Sequence, residues 1–157
     1  PVPEYTNLIV RQVEQAGIYR MPRLCHEVRI RDARPVGDIL YFVDRIPVNE
    51  TLVAIEGWAG IRGLESKPAQ IHVVLQSEKS RRVFTTLPMV RADVSSAHPA
   101  EKWRHSGFRF QMRRWLLPAE DFQIGILIKS GRGAEFTMTA HRLDLTGRGA
   151  GVLAPGK

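Results

Sequence analysis

Between Leu52 and Leu145 the chain repeats one short unit, a run in which apolar side chains recur at every second position before a cluster of Gly, Pro, Ser or charged residues. A period of two puts successive side chains on opposite faces, so each run reads as a strand with one face turned to a core. Phe108, Phe110 and Met112 alternate with Gly107, Arg109, Gln111 and Arg113, and Phe122, Ile124, Ile126 and Ile128 give the strongest such pattern. Ile71, Val73 and Leu75 form another inward set, and Phe136, Met138 and Ala140 a last one. The connections at 62–68, 77–81 and 130–133 are polar and short, as antiparallel neighbours require. About eight strands, with no helix expected between Leu52 and Leu145, give an all-β chain: an antiparallel β-sandwich of immunoglobulin-like type, with a small barrel as the alternative.

The stretch Leu52 to Ile61 carries a Gly-Trp step in its middle. Under strict alternation Val53, Ile55, Ala59 and Ile61 share the inner face, and Trp58 falls with Leu52 and Ala54 on the other. A bulge at Gly57 would turn the indole inward, and that is the expectation, with Gly57 and Trp58 as structural residues. Upstream, Ile39–Val43 reads as a strand, Glu27–Ile30 as a shorter one and Arg34–Asp38 as a turn. Residues 1–24 read as an appendage or linker. A short helix is the favoured reading there, since Asn7 is a good N-cap and Ile9, Val13 and Ala16 follow at helical spacing, while the β-rich run Leu8-Ile9-Val10 leaves a strand as the alternative; Met21-Pro22 breaks whatever precedes it. The β-domain is expected over 25–145, and the Gly-rich 146–157 as a flexible tail.

With 157 residues, 43% of them hydrophobic and 25% charged, the chain suits one conventional core. Cys25 is the only cysteine, which excludes an internal disulfide. No apolar run reaches the roughly 18 residues of a membrane span. The Pro-Val-Pro beginning is expected to belong to something longer. A net charge of +7 favours anionic partners, namely phospholipid head groups, acidic glycans or nucleic acid.

No spacing carries catalysis. The five histidines are dispersed, no nucleophile elbow surrounds a serine, and no Gly-rich turn leads from a strand into a helix. No cofactor or metal is expected, and an enzyme of unknown class is the third reading. The longest stretch without a period, Pro88 to Ser106, is where a binding loop is expected. Its Trp103, Arg91 and Arg104 are ligand-binding candidates, joined by Arg109 and Arg113 on the exposed face of the following strand. Trp58 and Trp115 are expected to pack in or beside the core. Asp93, two residues from Arg91, is expected to tie the loop down.

Ile55-Glu-Gly-Trp-Ala59, Ile71-x-Val-Val-Leu-x-Ser77, Val90-Arg-Ala-Asp-Val94, Ser106-Gly-Phe108 and Phe122-x-Ile-Gly-Ile-Leu-Ile-Lys129 together resemble a β-sandwich accessory module. Such modules are appended to bacterial envelope proteins, including multi-spanning membrane proteins and glycosyltransferase-like proteins of surface polysaccharide assembly. The resemblance covers about residues 39 to 140. It implies a non-catalytic domain outside the cytoplasm, in the periplasm or at the cell surface, attached to a membrane through a parent protein. Anionic glycans or lipid head groups are the partners it suggests. A single-stranded nucleic-acid-binding module is the alternative reading, since a basic sheet with exposed aromatics can bind single strands; no recognised motif supports it, so nucleic acid is not the expected partner.

Overall fold

The computed structural model describes residues 25–147 and, as backbone alone, Val152–Leu153. The elements run β1 (Glu27–Val28), β2 (Arg34–Pro35), β3 (Ile39–Arg45), β4 (Leu52–Ile61), β5 (Ile71–Gln76), β6 (Arg81–Thr85), β7 (Leu87–Met89), α1 (Ala92–Ala97), β8 (Gly107–Arg113), a 3-10 turn (Arg114–Leu116), β9 (Asp121–Ser130), β10 (Gly133–Asp144) and β11 (Val152–Leu153). They build a larger sheet in the order β1-β6-β5-β9-β10-β11, with β2 also on β10, and a smaller sheet in the order β3-β4-β8-β7. All pairings are antiparallel except that of β2 with β10. The all-β expectation therefore stands for the described residues.

One core lies between the sheets. Val53, Ile55, Phe108 and Phe110 of the smaller sheet meet Val73, Leu75, Phe84, Ile124 and Ile126 of the larger. The rings of Phe84 and Phe110 touch edge to face across it at 5.2 Å. Burying each such side chain stabilises the fold by about 1.5–3 kcal/mol. At one side the chain passes from sheet to sheet: Cys25 N–H donates to Gln111 of β8 at 2.8 Å, while Glu27–Val28 pair with β6. Cys25 is buried, and burial raises its thiol pKa.

A second apolar cluster sits on the outer face of the larger sheet, formed by Val74, Val83, Leu127 and Phe136. Residues 28–35 cross it as a strap, since β1 is bonded to β6, β2 is bonded to β10, and Ile30 and Ala33 pack on the cluster between. Asp32 turns the strap with φ 61°, a left-handed conformation that Asp tolerates. Phe136 and Met138, counted on period alone as one inward set with Ala140, belong to this outer cluster. The register of β10 shifts between Met138 and Arg142, and Leu143 beyond the shift enters the central core. Thr139 occupies the irregularity, donating to the Ile124 carbonyl at 2.7 Å and accepting from His141 N–H at 3.0 Å, which satisfies backbone groups that the ladder drops.

Several expectations are corrected. The stretch 88–106 contains β7 and α1, so the region between Leu52 and Leu145 does hold a helix; Asp93 in its first turn favours it. The bulge lies opposite Gly57 rather than at it: Val43 faces Gly57 and Arg45 faces Glu56, so Asp44 is the extra residue. Alternation in β4 is consequently strict, and Trp58 is on the outer face, half-buried. Within the expected tail, β11 pairs with β10 at Arg142–Leu153 and Leu143–Val152. The expected N-terminal helix lies outside the described residues.

His72 is buried on the outer face beside the strap side of Lys129, with Nδ1 3.2 Å from the Gln70 carbonyl. Burial lowers its pKa below the usual 6.5, and the Lys129 charge acts in the same direction. Acidification therefore protonates the unfolded chain first. His72 should contribute fully above about pH 6.5 and lose its contribution as pH falls towards the folded value. Urea unfolding between about pH 7.5 and about pH 5 should show stability falling with acid, with a shallower fall in His72→Gln.

Candidate functional site

The 62–70 loop is polar at both ends of its span and turns at Gly63, whose φ of 81° a glycine adopts without strain. The 98–105 segment holds it. Gly63 N–H donates to Glu101 Oε2 at 2.7 Å, Ser66 N–H to the Lys102 carbonyl at 3.2 Å, and His105 N–H to Ser66 Oγ at 2.9 Å. The centre of this clamp is Trp103, fully buried, with Nε1 donating to the Leu64 carbonyl at 3.0 Å. Its indole lies flat on Gly60, where an added Cβ would meet the ring at 2.5 Å. Trp58 at 6.0 Å and His98 at 5.0 Å complete a cluster of three mutually tilted rings on the outer face of β4.

Beside the clamped loop, at the end of the two sheets, is a cavity of about 270 Å³. Ala59, Ile61, Ile71 and Ile128 supply its apolar lining. Glu65, Lys67, Gln70, His105, Ser130 and Arg132 supply its polar rim. Arg132 is fixed by Glu135 at 3.1 Å and Asp38 at 3.0 Å, and Gln70 Oε1 accepts from Lys67 N–H at 3.1 Å. Among the described residues the Lys67 ammonium, the Glu65 carboxylate, the His105 ring and the Gln70 NH2 have no protein partner. Such an arrangement can hold an apolar ring face while offering donors and acceptors around its edge.

The residues singled out from sequence gather elsewhere. Arg91 donates to both Asp93 oxygens at 2.9 and 2.8 Å and to Asp44 at 2.6 Å, so it locks α1 onto β3 and is spent on structure. Asp93 is held down to a pKa of about 2, chiefly by its hydrogen bonds from Arg91. Arg109 pairs with Glu56 at 2.7 Å, and Arg45 binds the same carboxylate, which the two cations hold below the usual range. Arg45, Arg91 and Arg109 thus face Asp44, Glu56 and Asp93, three charges against three. The face expected to be basic is compensated there. Arg104 is exposed and Arg113 half-buried, both apart from this network. Trp103 cannot stack on a ligand, because no part of it reaches solvent. Trp115, expected to pack, is 75% exposed, since the 3-10 turn after β8 carries it past the sheet edge.

Lys67, Gln70, His105 and Arg132 were missed as a group. Lys67 and Arg132 lie in connections read as ordinary hairpin loops, Gln70 at the start of the Ile71 strand and His105 at the end of the expected binding loop, and only the pairing of β5 with β9 brings them to one end. Compared with protein-family models, curated proteins and solved structures, the chain finds no match, so its assignment rests on its own residues.

Proposed function

We propose that the chain is a non-catalytic accessory domain, an immunoglobulin-like β-sandwich belonging to a larger envelope protein outside the cytoplasm. Its role in this reading is to bind a carbohydrate of about one ring, bearing a carboxylate, in the cavity at the end of the sheets. The observation that supports it is the cavity itself: about 270 Å³, apolar where a sugar presents C–H groups and polar where it presents hydroxyls. Lys67, with Arg132 behind it, suits the carboxylate, and Gln70 and Ser130 suit the hydroxyls. The envelope location rests on the sequence resemblance and the basic balance of the chain.

Binding to a panel of glycans ending in glucuronic acid, against the same glycans ending in glucose, tests this. The acidic set should bind more tightly, and Lys67→Ala and Gln70→Ala should each weaken binding about tenfold, as loss of one hydrogen bond to the ligand implies. Equal binding of wild type and both variants, or none to any glycan, would overturn the assignment.

A further inference from the structure

Residues 25–147 carry a net +4 of the chain's +7, and four of their cations without an acidic partner share one face of the larger sheet. Arg29 and Arg31 of the strap are exposed, as are Arg81 of β6 and Lys129 of β9, which the strand register puts on the same outer face. Among the described residues none of the four has an acidic partner. Arg81 donates to the neutral Gln76 at 2.9 Å and lies 4.8 Å over the Phe136 ring. The acids nearby are engaged: Glu135 is buried between Arg132 and Arg34, and Glu27 pairs with Arg82. Asp32 of the strap and Glu78, three residues before Arg81, are the exceptions, exposed acids with no cationic partner among the described residues.

We infer that this strap side of the larger sheet is a docking surface for an anionic lipid bilayer. The cations are spread over an area. Arg81 and Lys129 lie two strands apart across the sheet, about 10 Å, and six residues apart along it, about 20 Å, with the strap crossing the same face. A plane of phosphate head groups matches such an array, whereas a polyanion chain calls for cations along a line. The exposed large apolar side chains, Phe42, Met89, Val90, Trp115 and Leu116, all lie off this face. Contact is therefore electrostatic, made without insertion and screened by salt. The cavity reading is independent of it, because a vesicle of plain phospholipids offers no sugar.

Cosedimentation of the full chain with vesicles of equal parts phosphatidylcholine and phosphatidylglycerol, against phosphatidylcholine alone, tests the surface. Wild type should bind only the mixed vesicles and be released by salt. The double variant Arg29→Ser, Arg31→Ser should bind about 30-fold more weakly, each cation near the surface contributing a factor of about five. Both positions are exposed, and unchanged circular dichroism confirms that the variant folds. Arg104→Ser, outside the face, should stay within about twofold of wild type. Equal binding by the double variant, or no binding of wild type to mixed vesicles, overturns the proposal. So does retention on polygalacturonate with no binding to vesicles, which assigns the cations to a polymer.

Discussion

Replacing Trp103 with alanine should lower stability by about 3–5 kcal/mol and the melting temperature by roughly 6–20 °C. The indole is wholly buried, and its removal leaves a void between Gly60, Trp58 and His98 together with an unpaired Leu64 carbonyl. A domain of this size has about 5–15 kcal/mol in all, so the loss is a large part of the margin. Trp103→Phe keeps most of the ring and loses the N–H, and should fall between the two. Thermal melts followed by near-ultraviolet circular dichroism report the effect directly, since the Trp58–Trp103 contact makes the aromatic environment chiral. A melting point within about 2 °C of wild type would contradict the clamp as described.

Gly57→Ala should cost about 3 kcal/mol. A Cβ at this position would run into the backbone carbonyl oxygen of Phe42 and come within 3.2 Å of the Phe108 ring. The carbonyl belongs to β3 just before its bulge at Asp44, so relief requires the strand to move, and with it the Asp44–Arg91 ion pair. Gly125→Ala is the informative contrast. There the added methyl meets the Met138 sulfur at 2.6 Å, the flexible end of a long side chain that can swing away. Chemical denaturation should give a loss several-fold smaller for Gly125→Ala, and equal losses would show that β3 yields as readily as a methionine.

The central strands were legible because a period of two is a local property. Phe108, Phe110 and Met112 need no partner to declare a shared face, and they do line the core. The bulge was placed one strand away from its true site, because a glycine in β4 marks close approach of β3 without saying which strand carries the extra residue. Trp103 was misplaced for a related reason. Its loop is polar in sequence, and only the smooth surface at Gly60, far back in the chain, makes room for the indole. Of the arginines that sequence marks for ligand binding, Arg109 and Arg91 are neutralised, because Glu56 stands directly across from Arg109 in the register and Asp44 beside Arg91. Pairing of charges is a property of register, which alternation alone does not determine.

The strap also bears on the order in which the molecule assembles. Its second anchor joins Arg34 to the Arg132 carbonyl, 98 residues later in the chain, and its parallel ladder with β10 is equally remote. Closing so long a loop is entropically expensive before the contacts form, which places strap closure late and slow. During synthesis the first strands emerge well before β10 exists, so Val74 and Val83 stay uncovered until β10 has been made. The domain thus acquires its outer layer last, as a fastening across a sheet that has already formed.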